Sequence, residues 1–226
     1  RKKGETDDMK VVAWVPIKLN NQRLPGKNTK LLGGKPLCSY MLETLTQINQ
    51  IDEIYVYCSD EAIVPYLPQG VQFLKRPERL DGAMVGHYEI VDAFLSDVDA
   101  DVYLNAHVTN PFVKKESIEL GLGKVLSGEH DSAHTVQRLS RPLWYRNEPF
   151  NFTRTKMFRN QDIEPMFIDM NLCIYRREVF TKMHSRYGKD PYFIEIDPIE
   201  AIDIDDPEDL MLAEAMYQAF LRSEER

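Results

Sequence analysis

The sequence predicts an α/β protein, a Rossmann-like three-layer fold with a mostly parallel sheet and helices on both faces. Three observations predict it. Short apolar runs alternate with stretches of helical periodicity. The connections between them are short. The first apolar run is continuous, as in a strand buried on both faces.

Taken in order, Val11 to Pro16 reads as that first strand, and a turn-rich stretch from Asn20 to Asn28 follows it. Pro36 opens a helix on which Leu37, Tyr40, Met41, Leu45 and Ile48 recur at helical spacing. Ile54 to Cys58 is a second strand, and Ser59-Asp60 caps a short helix. Val71 to Leu74 is a third strand, Tyr88 to Leu95 a helix, and Asp101 to Asn105 a fourth strand. Lys114 to Leu126 carries Ile118, Leu122 and Val125 on one helical face, and Ser132 to Val136 is again a strand. Residues 138–166 break this rhythm as an irregular, aromatic and basic insertion. Met166 to Tyr175 returns to a strand pattern, and Ala201 to Asp205 leads into a last helix from Pro207 to Leu221. Residues 1–8 read as a flexible leader, a tag remnant or the end of an upstream linker. Residues 9–226 read as a single domain.

Charge is unevenly placed. The net charge of the 226 residues is -8. From Glu195 to Arg226 there are eleven acids and two bases, whereas Met9 to Leu42 holds six bases and no acid. Either these are two surfaces that never meet, or they meet in one site that holds an anion and its metal. An acidic chain is poorly suited to nucleic acid or to an anionic membrane, and no apolar run approaches the length of a membrane span. Cys38, Cys58 and Cys173 have neither metal-ligand nor redox spacing. They read as buried free thiols, and a cytoplasmic location is expected.

Two stretches carry chemistry. Lys18-Leu-Asn-Asn-Gln-Arg-Leu-Pro-Gly-Lys-Asn28 is either a solvated basic loop or a cradle for polyphosphate, since cations and backbone N–H groups both favour anions. It is not a Walker-type loop, because neither Lys27 nor Lys35 is followed by Ser or Thr. Asp203 and Asp205 alternate, so on extended backbone both carboxylates point the same way. They suit Mg²⁺, or else they belong to the acidic first turn of the last helix. His130 and His134 have i,i+4 spacing but lack the Glu of a zinc motif and sit at a loop-to-strand junction; both read as structural.

The run Val15-Pro-Ile-Lys-Leu-Asn-Asn-Gln-Arg-Leu-Pro-Gly-Lys-Asn28, followed by Leu32-Gly-Gly-Lys-Pro-Leu37, resembles the cytidylyltransferases that activate sialic acids with CTP. Their signature is roughly P-A-R-x-x-S-x-R-L-P-x-K-N, then x-G-K-P-L. Tyr57-Cys-Ser-Asp60, Lys75-Arg-Pro-Glu-Arg-Leu80, Thr109-Asn-Pro111 and Ile202-Asp-Ile-Asp-Asp-Pro-Glu-Asp-Leu210 resemble further family segments in the same order. Enzymes that activate the eight-carbon acid Kdo share R-L-P-G-K, but Asn28 leans toward the sialate type.

The resemblance implies transfer of CMP from CTP to the hydroxyl of a sialic-acid-like sugar acid, with release of pyrophosphate, by a homodimer that uses the insertion as its contact. It implies catalytic roles for Lys27, Asp203 and Asp205, the two aspartates holding Mg²⁺. Lys18, Asn20, Asn21, Arg23, Asn28 and Arg76 would bind nucleotide together with Lys27. His107, Arg141, Tyr145, Asn171 and Tyr175 would meet the acceptor. Asn21 stands for Ser in the family pattern, and three further departures bear on the substrates: Lys18 for Arg, His107 for Gln and Leu172 for Gly. They leave open a different acceptor, such as a Kdo-like acid, another nonulosonic acid or a small phosphonate, or a different nucleotide. A nucleotide-binding protein without turnover is the alternative of another class.

Overall fold

Val11–Ile17 (β1) is buried at every position but Pro16, which is why it reads as an unbroken apolar run. The computed structural model describes residues 9–156 and 158–221, so the expected leader lies outside the described residues. Around β1 stand Glu53–Cys58 (β2), Val71–Lys75 (β3), Val102–Asn105 (β4), Ser132–Leu139 (β5), Met166–Arg176 (β6) and Pro191–Glu195 (β7). They form one seven-stranded sheet in the order β7-β5-β6-β4-β1-β2-β3. Every pairing is parallel except those of β6, which runs antiparallel to both β4 and β5. The expected mostly parallel sheet is therefore what the chain forms.

Alternation along each strand sorts the side chains into two cores. Val11, Ala13, Val15, Val56 and Leu104 face one way and pack with Met41 and Leu45 of Leu37–Thr46 (α1) and with Ile118 and Leu122 of Lys115–Leu126 (α3). Trp14, Tyr57 and Tyr103 face the other way, against Phe94 of His87–Asp97 (α2) and Phe180 of Arg177–Met183 (α4). Trp14 stacks on Phe94 with ring centroids 4.6 Å apart. Helices thus cover both faces of the sheet.

Several expectations need correction. Ala201 to Asp205 is not a strand of the sheet: Ala201 closes a turn on Asp197, and Ile204 N–H donates to Thr109 O at 2.8 Å. The last helix is α-helical only over Pro207–Met216 (α5), and Tyr217–Leu221 widens into a π-turn. Helix α1 ends at Thr46, so Ile48 packs from the following turn. β7 and α4 were not expected. β7 is a five-residue edge strand that begins at a proline, and α4 is a charged helix of two turns, so neither carries a strong periodic signal. Among the described residues, the insertion holds a 3₁₀ turn at Asn160–Asp162 and a hairpin pairing Trp144–Tyr145 with Glu148–Pro149, whose turn holds Arg146 and Asn147 at φ 50 and 65.

A small hairpin fastens α5 to the body. Leu31–Leu32 pairs with Lys35–Pro36 through Gly33 and Gly34, at φ 59 and 90. Gly33 N–H donates to Glu214 Oε2 at 2.8 Å, and a Cβ at Gly33 would stand 2.2 Å from the Tyr217 ring. Gly33→Ala therefore adds left-handed strain to a clash with a rigid ring. We expect it to cost about 2–4 kcal/mol and to lower the melting temperature by roughly 5–10 °C. Gly34→Ala, which meets nothing within 4 Å, should cost about 1–2 kcal/mol. Thermal unfolding of the two variants measures the difference.

Candidate active site

The loop that leaves β1 lies at the carboxyl ends of the parallel strands, where open α/β sheets place ligands. Its shape is fixed from within. Gly26, at φ 68, turns the chain into the 3₁₀ turn Lys27–Thr29. Asn28 is buried; its Nδ2 donates to Lys18 O at 2.7 Å and reaches Asn21 Oδ1 at 3.5 Å. The Asn28 side chain therefore ties the two ends of the loop together. Asn20 is exposed, and Lys18 has no ion-pair partner among the described residues.

Lys27 is 8% exposed and points across to the last segment. Its Nζ donates to Ile204 O at 2.9 Å and to Asp205 Oδ1 at 3.0 Å. Arg23 holds the other oxygen of Asp205 at 2.8 Å. Burial pushes the Asp205 carboxyl up, but the hydrogen bond and charge of Lys27, joined by Arg23, outweigh it and hold the group below the usual carboxylate range. Arg23, Lys27 and Asp205 thus meet, and the basic start and the acidic end share one site.

Asp203 has a different environment. Burial pushes its carboxyl above the usual range. One of its oxygens accepts from Asn171 Nδ2 at 3.2 Å; the other, Oδ1, is buried without a hydrogen-bond partner. Asn171 reaches it from an irregularity in β6, where pairing with β5 shifts between Asp169 and Cys173 and Asn171 takes φ 69. Ile204 lies between the two aspartates, fully buried. The acidic first turn belongs to other residues: Asp206 and Asp209 form a reciprocal cap at the start of α5.

Arg76 is 2% exposed, and its ion-pair partner is Asp81, at 2.5 Å, rather than Glu78. Asp81 also accepts from the Ser59 hydroxyl. Beside them a polar cleft of about 650 Å³ is lined by Asn20, Ser59, Asp60 and Asp81 among others. An apolar cleft of about 630 Å³, lined by Tyr40, Phe112 and Ile199 among others, contains none of the residues around Asp205.

On the α2 and α4 side, His107 stands with its ring centroid 5.7 Å from that of His87. Burial, then the charges of His87, Arg186 and Lys27, push the His107 imidazole down to about 3. Burial and Arg186 likewise push His87 down to about 4, and burial does the same to His134. All three are neutral at pH 7. His134 is a buried residue of β5 stacked on Tyr187, and His130 lies in the preceding turn beside Asp190, so the pair shares no helix face.

Other expected acceptor residues are not gathered here. Arg141 and Tyr145 are exposed in the insertion and form no hydrogen bond or ion pair with residues 203–205. Tyr175 is fully buried against Tyr103 and Phe180, beneath the site rather than in it. Leu172 faces the α1 and α3 core, away from His107. Sequence reading did not single out Arg186, His87 or Asn105, which the structure joins by hydrogen bonds. No motif marked them; the packing of α2 and of the segment after α4 against the end of β4 brings them together.

A family model described as cytidylyltransferase matches residues 12–225. CMP-N,N'-diacetyllegionaminic acid synthase of Legionella pneumophila is 25% identical over 226 residues, which cover 93% of this chain and 97% of the relative. N-acylneuraminate cytidylyltransferase of Streptococcus agalactiae is 21% identical over 90% of this chain, which spans only 52% of that relative. A solved CMP:2-keto-3-deoxy-manno-octonic acid synthetase complexed with CTP superposes with a TM-score of 0.67 at 18% identity, covering 96% of this chain and all of that one. At that identity the likeness is one of fold.

The neutral histidines carry a pH signature. In the unfolded chain each protonates near 6.5; folded, the three resist until about pH 3 to 4. Below about 6.5 the unfolded state binds more protons, so stability is lost as pH falls toward 4. Each such imidazole should remove about 2 kcal/mol between pH 7 and pH 5. The stability gap between wild type and His87→Gln, read by urea unfolding, should therefore narrow by about that amount.

Proposed function

The chain belongs to the cytidylyltransferase family, and we propose that it transfers CMP from CTP to the hydroxyl of a sialic-acid-like sugar acid, releasing pyrophosphate. The observation that carries this reading is the fastening of the first loop to the last segment by Lys27 and Arg23 on Asp205, beside the unpartnered Asp203 Oδ1. Two cations gathered beside two carboxylates at one end of the sheet are the groups that suit a triphosphate and its metal. The acceptor hydroxyl oxygen attacks the α-phosphorus while its proton passes to solvent, and the bond from that phosphorus to the oxygen bridging it to the β-phosphate breaks, so that pyrophosphate leaves. Transfer of this kind depends on positioning and charge neutralisation, which Lys18, Arg23 and Lys27 supply. The cleft at Asn20, Ser59 and Asp81 lies on the same side of the loop and suits the nucleoside, with Arg76 behind it.

Asp203 and Asp205 suit Mg²⁺. They offer hard oxygen donors, and among the described residues there is no group of three or more His, Cys, Asp and Glu side chains placed to hold a metal. Two carboxylates completed by substrate phosphates and water is the usual mode for this ion. Bound there, it screens the triphosphate and makes pyrophosphate a better leaving group. His107, neutral at pH 7, offers the acceptor one N–H donor and one lone pair and is too weakly basic for bulk proton abstraction. A homodimer through the insertion is supported by Trp144, Tyr145 and Phe150, each more than half exposed. A cytoplasmic location is supported by three buried free cysteines; among the described residues no helix is long and apolar enough to cross a membrane.

The acceptor is tested with N,N'-diacetyllegionaminic acid, N-acetylneuraminic acid and 3-deoxy-manno-octulosonate, measuring pyrophosphate release with CTP and Mg²⁺. We expect turnover with a nine-carbon acid; turnover with the octulosonate alone would move the assignment to the Kdo type. Saturating Mg·CTP should raise the melting temperature of wild type by about 5–10 °C and that of Asp205→Ala far less. Asp203→Asn should lower kcat/KM about 100-fold or more. Equal CTP shifts in wild type and Asp205→Ala would refute the metal assignment.

A further inference from the structure

Trp14, Asn105, Cys173 and His134 stand opposite one another across β1, β4, β6 and β5. This row lies at the carboxyl end of β4 and crosses the middle of β1, on the face covered by α2 and α4. A row so deep in a sheet is ordinarily apolar. Here it carries an amide, a thiol and an imidazole, each no more than 1% exposed. Arg186, just beyond α4, lies over the row. Its Nη1 donates to Asn105 Oδ1 at 3.1 Å and approaches Cys173 Sγ at 3.4 Å. His87 Nε2 donates to the same Asn105 oxygen at 3.1 Å.

The hydrogen-bond count does not close. Arg186 has no carboxylate within ion-pair distance among the described residues, and its Nε is buried without an acceptor. Asn105 Nδ2 is buried without an acceptor, and His134 Nε2 has no partner. A half-buried guanidinium whose hydrogen bonds go to an amide oxygen and a thiol, with the Tyr187 ring 6.0 Å from its central carbon, is costly, and every orphan donor adds to the cost. Donors are in excess in this cluster, and a group that only accepts would satisfy them. A carboxylate is such a group and matches the guanidinium fork.

The cluster is wired to the transfer site. Tyr187, next to Arg186, donates to Asp169 Oδ2 at 2.5 Å; Asp169 Oδ1 accepts from Asn171 N–H at 2.8 Å; Asn171 Nδ2 donates to Asp203. His107 stands between the two regions, beside His87 and within reach of the charges of both Arg186 and Lys27. We propose that Arg186 and the Asn105 amide form the seat of the acceptor's carboxylate, a role that rests on the transfer to a sugar acid inferred above. Seated there, an acid with its reacting hydroxyl next to the carboxylate has that hydroxyl directed toward the nucleotide side. The guanidinium also offsets the repulsion between the acceptor's charge and the triphosphate. Arg141 in the insertion is exposed to water and pairs with nothing in this cluster, so it suits this task less.

The test compares each acid of the three-member panel with its methyl ester, using the full chain, CTP and Mg²⁺. Wild type should prefer the acid by about 30-fold or more in kcat/KM. Arg186→Gln should raise the acceptor KM by a similar factor, leave the CTP KM within about two-fold, and abolish the acid-over-ester preference. Arg186→Lys, which keeps the charge and loses the fork, should keep part of that preference. A Mg·CTP melting shift equal to that of wild type shows that a variant is folded, and Asn105→Ser replaces Arg186→Gln if the latter fails this check. An unchanged acid-over-ester ratio in a folded variant overturns the seat while leaving the transfer reading intact. Wild type that shifts with Mg·CTP but turns over none of the three acids overturns the acceptor reading, and the seat with it.

Discussion

A lysine that is almost completely buried must have an anion beside it, and in this protein the anion is Asp205. The Lys27–Asp205 contact spans nearly the whole chain, joining the loop after the first strand to the segment before the last helix. Burying an ammonium is tolerable only if its protons are used, and Lys27 spends two of them on Asp205 and on the Ile204 carbonyl. This geometry places the cations and the carboxylates at one end of the sheet. It also accounts for part of the charge division of the sequence: Arg23 and Lys27 take their anion from the other end, whereas Lys10 and Lys35 pair with Glu53 and Glu43.

Other parts of the fold serve that juxtaposition. The parallel strands β1 and β2 end together at Ile17 and Cys58, while β4 stops earlier, opposite Trp14, and leaves room beside the end of β1. Thr109 and Asn110, after β4, hold the 202–204 backbone by one hydrogen bond each, so the aspartates are fixed by the sheet and not by α5 alone. The Gly33–Gly34 hairpin grips α5 from the other side. β6, the one antiparallel strand, contributes its irregularity at Asn171, which carries an amide to Asp203. Each contact is a single hydrogen bond of about 1 kcal/mol net, but together they leave the 203–205 segment little freedom.

Much of this was legible in the sequence. Residues that act through local pattern could be read: the basic loop, the alternating aspartates and the caps of the last helix each occupy a few consecutive positions. Residues that act through register could not. Asn105, Cys173 and His134 become neighbours only when β4, β6 and β5 pair, and Arg186 follows a short charged helix with no periodic signal. Tyr175 shows the opposite error. It shares a motif with Asn171, yet regular pairing resumes at Cys173 and draws Tyr175 into the core. The basic, aromatic insertion drew attention to Arg141 and Tyr145 by composition, while the structure keeps both in solvent.

The central claim is that Asp203 and Asp205 give up their internal partners to a metal–nucleotide complex while Lys27 and Arg23 turn to its phosphates. A crystal structure with CTP and Mn²⁺ in place of Mg²⁺ tests this most directly, because the anomalous signal locates the ion. The account expects the ion about 2.0–2.2 Å from an oxygen of each aspartate, with Lys27 or Arg23 moved onto phosphate oxygens. An ion bound elsewhere, with Lys27 and Arg23 still paired to Asp205 and the triphosphate away from the 18–28 loop, would contradict it.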